Sequence, residues 1–307
     1  MFRSMKVFSA ALLLLAATVV RAGNNLEMQY TNSGRLIVTP FASAPFPHQS
    51  RAEGHKYKDK LYPSAENYSD STVAIFLPKN FRDTARVDFV IHFHGWNNTV
   101  AGTLSGFRLI EQFVGSGKNA ILVVPEGPHN APDSAGGKLE DQDGFKNFIG
   151  EVVATLQQRD GFKRKKFSLG RVILSGHSGG YRVISAILDR GGLTDAVRGV
   201  WLFDALYAET DKFLAWSERS HGRLLNIYTD HGGTKADSEA MMALLKKRGT
   251  PFLATEEAQL TPAELKNHRP VFIHTDLPHN DVVAKRNQFC LFLKTSALDD
   301  RKKSSVP

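Results

Sequence analysis

The sequence predicts an α/β protein in one domain, built on a mostly parallel sheet with helices on both faces. Three observations predict it. From residue 89 onward, short apolar runs alternate with segments of helical periodicity. Glycines frame a serine, Gly176-His177-Ser178-Gly179-Gly180, at one of the strand-to-helix junctions. An aspartate and then a histidine follow that serine at the ends of later strands. Strands that alternate with helices pair in parallel, because each helix must carry the chain back along a face of the sheet.

The first residues read as a targeting segment. Arg3 and Lys6 precede an apolar stretch over residues 7–20, and Val20-Arg21-Ala22 places small side chains where a signal peptidase reads. An apolar run of about 14 residues falls short of the roughly 20 that cross a bilayer. We therefore expect a signal peptide over residues 1–22, a folded domain over 23–296 and a loose polar tail over 297–307, with export to the periplasm or beyond. No other stretch is long or apolar enough for a membrane span.

The chain has a net charge of +8. Its local clusters, Lys163-Arg164-Lys165-Lys166 and Arg301-Lys302-Lys303, lack interleaved aromatics, so nucleic acid is not an expected partner. They read as solvated surface, with a lesser pull toward an anionic polymer or membrane surface. Cys290 is the single cysteine. It allows no intramolecular disulfide and is expected as a small buried hydrophobe within Phe289-Cys290-Leu291-Phe292-Leu293.

Strands are expected at residues 36–38, 73–77, 89–93, 120–124, 172–174, 199–203, 224–228 and 271–274, where β-branched and aromatic residues cluster. Residues 48–67 are polar and read as a surface loop. Helical spacing marks residues 104–114, 145–156, 183–188, 212–216 and 282–293. Asp237 is expected to cap a helix over residues 238–247.

The pentapeptide at 176–180 follows a strand and opens a helix, which is the context of a nucleophile elbow. Together with a strand ending in His94-Gly95 and the acid-then-histidine order downstream, it resembles the α/β-hydrolase superfamily over essentially the whole chain after residue 22. Secreted polyester depolymerases and feruloyl-type esterases share this plan. The resemblance implies an α/β-hydrolase fold without a large cap domain, since only about 19 residues separate Asp204 from the next strand.

It also implies roles. Ser178 would be the nucleophile and His279, in Leu277-Pro278-His279-Asn280-Asp281, its base. His274 is the competitor but falls within a strand. The acid is open between Asp204, after the strand at 199–203, and Asp230, after the next one. Most members carry the acid after the seventh strand and a minority after the sixth. The oxyanion would be held by the amide of Gly179 and by that of Trp96 or Asn97, with His94, Gly95 and Asn97 at the substrate pocket. The loop over residues 126–139 is expected at one rim of the cleft. His92, His94 and His279 invite a metal reading, but an oxyanion motif explains His94 better, and no metal or cofactor is expected. The expected function is a serine hydrolase acting on an ester, including polymer-attached esters. Amide hydrolysis or acyl transfer would use the same residues, and a non-catalytic binding protein is the rival from another class.

Overall fold

The computed structural model describes residues 25–158 and 166–301. The expected signal peptide, the basic residues 163–165 and those after Arg301 lie outside the described residues. Among the described residues, nine strands form one sheet: β1 (Gly34–Pro40), β2 (Thr72–Pro78), β3 (Arg86–Phe93), β4 (Ala120–Pro125), β5 (Ser168–His177), β6 (Val197–Phe203), β7 (Arg223–Thr229), β8 (Leu253–Glu256) and β9 (Val271–Thr275). Their spatial order is β1-β2-β4-β3-β5-β6-β7-β9-β8. β2 runs antiparallel to both β1 and β4. The other neighbours are parallel.

The central strands are apolar on both faces, as a sheet covered on both sides requires. Side chains alternate between two cores with the period of two that a strand imposes. On β5, Val172 and Leu174 enter one core and Ile173 the other. On β6, Val200 and Leu202 oppose Trp201 and Phe203 in the same way. Seven longer helices cover the faces: α1 (Val100–Gly106), α2 (Leu109–Ser116), α3 (Gly144–Gln158), α4 (Tyr181–Arg190), α5 (Thr210–Arg219), α6 (Lys235–Lys247) and α7 (Gln288–Thr295). Helices α3 to α6 close the first core, with Phe148, Ile184, Phe213 and Met241 among their inward residues. Helices α1, α2 and α7 close the second with Leu104, Phe113 and Phe292.

Several expectations are corrected. The single helix read over residues 104–114 is two helices, because Arg108 adopts a left-handed φ of 49° between them. The last helix begins at Gln288, after Asn287 at φ 56°. Val282 and Val283, which extended the apolar pattern, are buried in a non-helical turn. Helix α6 starts at Lys235, so Asp237 lies in its first turn and is not its cap. The segment read as a surface loop holds a hairpin of His55–Tyr57 against Lys60–Tyr62 and a short helix, Ser64–Asn67. Cys290 is half-buried, with its amide donating to Gln112 Oε1 at 3.1 Å.

The expected loose tail is anchored as far as Arg301. Leu298 is buried. The Asn119 amide donates to the Asp299 carbonyl at 2.7 Å, Arg171 pairs with Asp299 and donates to the Ala297 carbonyl, and Lys118 pairs with Asp300. Residues 297–301 therefore run across the starts of β3, β4 and β5.

Candidate active site

The parallel strands all point one way, so β3, β5, β6 and β9 end along a single edge. Side-chain chemistry in open parallel sheets gathers at this edge. Phe93 at the end of β3 is in register with Gly176, and His177 at the end of β5 with Phe203 of β6. The residues that follow, 94–97, Ser178 and Asp204, are thereby neighbours despite wide separation in sequence. His279 joins them in the turn His279–Asp281 after β9.

The turn after β5 is tight. Ser178 takes φ 52°, a left-handed conformation that costs a non-glycine residue roughly 1–3 kcal/mol. Close approach explains the surrounding glycines. A β-carbon at Gly180 would lie 2.7 Å from the Phe93 carbonyl oxygen, and one at Gly95 would lie 2.5 Å from Ser178 Cβ. The loop after β3 thus lies directly against the serine. A β-carbon at Gly179 would press on Trp96 and Ser134, which puts Gly179 beside the same loop.

Of the two aspartates, Asp204 is the one bonded to His279. Its Oδ2 accepts from His279 Nδ1 at 2.6 Å and from Thr229 Oγ1 at 2.8 Å. Its Oδ1 accepts from the Thr229 amide at 3.2 Å and from the Thr234 hydroxyl. Asp204 is fully buried and at φ 46°. Burial alone would raise its pKa, but the bonds from His279, Thr234 and Thr229 hold it below the usual carboxylate range. It is an anion with every lone pair engaged by a donor. Asp230 is exposed and pairs with Lys235 at 2.7 Å. His274, the alternative base, faces Asp230 and Glu256 rather than Ser178.

With Nδ1–H directed at Asp204, the imidazole of His279 leaves Nε2 as its acceptor nitrogen. Its backbone is fixed as well. His177 Nε2 donates to the His279 carbonyl at 3.0 Å, and the two rings lie 4.6 Å apart. His177 had no role in the sequence reading beyond filling the pentapeptide.

The loop after β3 departs from expectation at one residue. The Asn97 amide donates to the Ala131 carbonyl at 2.9 Å, so it is already engaged. His94 is buried, and with Ser134, Gly179 and Gly180 it lines a small cavity beside the serine turn. Its Nδ1 donates to the Gly95 carbonyl at 2.8 Å, and its Nε2 lies 3.1 Å from Glu126 Oε1 and 2.9 Å from the Gly127 nitrogen. It supports the loop from beneath. Trp96 is 42% exposed, with Nε1 donating to Ser134 Oγ at 2.8 Å and Tyr57 against its ring. Ser134 and Ala131 belong to the loop over residues 126–139, which accordingly packs beside Gly95, Trp96 and Asn97.

Three further residues meet the site that sequence reasoning did not single out. Thr229 and Thr234 bond Asp204. Tyr207 donates to the Gly232 carbonyl at 2.5 Å and lies against the Ser178 hydroxyl. Burial and the Asp204 charge push its pKa up to about 12, so it stays a neutral donor.

Two buried imidazoles at this edge have a measurable consequence. Burial, with neighbouring imidazoles adding to it, lowers His92 to about 3 and His177 to about 4. His92 bonds Ser175 through Nδ1 at 2.9 Å and is packed between Phe107 and Phe289. Both groups exclude protons when folded and take them up when unfolded, at about pH 6.5. Stability must therefore fall as pH drops through this window, by up to about 1.4 kcal/mol per pH unit per histidine. Thermal unfolding at about pH 6.5 and about pH 5, where most carboxylates remain ionised, checks this. The drop between the two should be about halved in His92→Phe. An equal drop in both proteins would refute the assignment.

No family model and no curated protein matches the sequence. Solved structures do resemble it. A ferulic acid esterase superimposes with a TM-score of 0.53 at 12% identity, over 85% of this chain and 98% of that one. A serine-to-alanine variant of the feruloyl esterase module from Clostridium thermocellum, complexed with sinapinate, gives 0.51 at 13% identity, over 86% and 88%. An S-formylglutathione hydrolase from Agrobacterium tumefaciens gives 0.51 at 12% identity, over 87% and 96%. At such identity the likeness is one of architecture. The chain has the α/β-hydrolase fold, without a large cap domain among the described residues.

Proposed function

We propose that this protein is a serine hydrolase that cleaves a carboxylic ester through an acyl-enzyme. The observation that carries the reading is the 2.6 Å bond from His279 Nδ1 to the fully buried Asp204, at the sheet edge where Ser178 sits in a strained turn. That esterases share the architecture adds support. A serine hydroxyl is a weak nucleophile until a base takes its proton. In this reading Ser178 Oγ attacks the ester carbonyl as His279 Nε2 accepts its proton. The imidazolium that forms is stabilised by Asp204. The carbonyl oxygen gains negative charge and is held by the amides of Gly179 and Trp96. Collapse expels the alcohol, which takes its proton from His279. Water, deprotonated by His279, then attacks the acyl carbonyl, and the acid leaves as Ser178 recovers its proton. No step uses a cofactor. A cleft without a cap suits extended or polymer-attached esters.

The test is labelling of the folded protein with a fluorophosphonate probe. Wild type should form a covalent adduct that Ser178→Ala abolishes. A folded wild type that stays unlabelled would sink the catalytic reading and favour a binding protein on this fold. We further propose export directed by residues 1–22. N-terminal sequencing of the exported protein should then begin at Gly23, and an unprocessed N-terminus would overturn it.

A further inference from the structure

A second set of donor atoms converges on the far side of Glu126. Asp70 lies in the turn before β2 and its Oδ1 accepts the Thr72 amide at 2.8 Å. Glu126 follows β4, and its own amide donates to the Thr72 carbonyl at 2.8 Å. The His129 amide donates to the Asn67 carbonyl at 2.9 Å, and Asn67 Nδ2 returns a bond to the His129 carbonyl at 2.8 Å. All three residues are thus held by main-chain bonds before any ligand is considered, which is the preorganisation a binding site needs.

Their side chains meet at ion-pair distance. His129 Nδ1 lies 3.5 Å from Asp70 Oδ2 and 3.7 Å from Glu126 Oε2. Both distances exceed a hydrogen bond. His129 Nδ1 is buried between the two carboxylates and makes no hydrogen bond of full geometry. One donor atom from each residue falls within 4.8 Å of the others. Ligand atoms about 2.1 Å from a tetrahedral ion stand about 3.4 Å apart. The two separations from His129 Nδ1, 3.5 and 3.7 Å, are close to that spacing.

We propose that Asp70, Glu126 and His129 bind a divalent first-row transition ion, with Zn²⁺ the best match. An imidazole with two carboxylates suits zinc and its neighbours, whereas Ca²⁺ and Mg²⁺ take oxygen ligands alone. The two carboxylates balance the ion's charge, and Asp70 and His129 are one-third exposed, which leaves a path for entry and a position for water. The site is structural rather than catalytic. The carboxylate of Glu126 also contacts both ends of the loop beside Ser178: Oε1 lies 3.1 Å from His94 Nε2, and Oε2 accepts the Val100 amide at 2.9 Å. Residues 95–99 span the interval between those contacts. An ion that fixes Glu126 also fixes this loop.

From the sequence a metal is weighed only at His92, His94 and His279 and none is expected; Asp70, Glu126 and His129 lie outside that set. The proposal stands independently of the ester-hydrolase reading, since its test reads metal binding alone. Full-length protein is stripped with a chelator, exchanged into buffer and titrated calorimetrically with Zn²⁺ alone, with thermal unfolding in parallel. One ion per chain should bind in the micromolar range or tighter and raise Tm by several degrees. Asp70→Asn and His129→Gln, each verified as folded by circular dichroism, should weaken binding at least ~10-fold. Stripped wild type that takes up no Zn²⁺, as a simple His129 ion pair would give, overturns the proposal. So does binding that both substitutions leave unchanged.

Discussion

Ser178→Ala is expected to lower kcat/KM for an activated ester by ~10⁴- to 10⁶-fold, with Tm nearly unchanged. The substitution deletes the attacking oxygen and nothing else. In the proposed mechanism His279, Asp204 and the Gly179 and Trp96 amides remain in place, so a residual rate above that of water is expected from them. Alanine inherits the same left-handed backbone at φ 52°, and the turn keeps its glycine contacts. Steady-state hydrolysis and a thermal melt of the same preparation decide it. A variant retaining a tenth of the wild-type rate would remove Ser178 from the role of nucleophile.

The second large effect separates the two aspartates. Asp204→Asn should reduce kcat by ~10⁴-fold, while Asp230→Asn should change it less than about two-fold. The four contacts to Asp204 are all donors: His279 Nδ1, the Thr229 amide and the hydroxyls of Thr229 and Thr234. An asparagine in its place must present two N–H groups where only acceptors fit. The imidazole then turns to the wrong tautomer, and Nε2 carries a proton when it should accept one. Asp230 is exposed and shares a surface ion pair with Lys235, an interaction of small energetic weight. The loss should fall on kcat rather than KM, because the aspartate does not touch substrate. A collapse in Asp230→Asn with normal activity in Asp204→Asn would reverse the assignment.

The central sheet was largely legible because its strands are driven by burial. Runs such as Val172-Ile173-Leu174 and Val200-Trp201-Leu202-Phe203 are apolar on both faces, and few arrangements other than a covered parallel strand bury both. β8 escaped notice since Leu253–Glu256 is four residues long, at an edge, and without a buried residue to mark it. Helix ends were misjudged where a single residue turns left-handed. Arg108 and Asn287 each stand just before a helix start, and the apolar pattern runs across them.

The candidate site was legible where chemistry sits at a strand end beside an unusual local sequence. An aspartate directly after Val200-Trp201-Leu202-Phe203 and a histidine after Leu277-Pro278 both stand out. Their partners did not. Thr229, Thr234 and Tyr207 acquire meaning only through contacts between elements, as does His177, whose ring reaches across to the His279 carbonyl. His94 was read as a pocket residue because it ends a strand next to a glycine. The sequence does not show its buried contact with Glu126 Oε1 at 3.1 Å.

The anchored segment over residues 297–301 has a practical meaning. It crosses the sheet at the strand starts, whereas Ser178, Asp204 and His279 stand at the strand ends. Arg301, the last of the described residues, therefore stands at the opposite pole of the molecule. Fixed to a solid support through this segment, the protein would present Ser178, Asp204 and His279 outward.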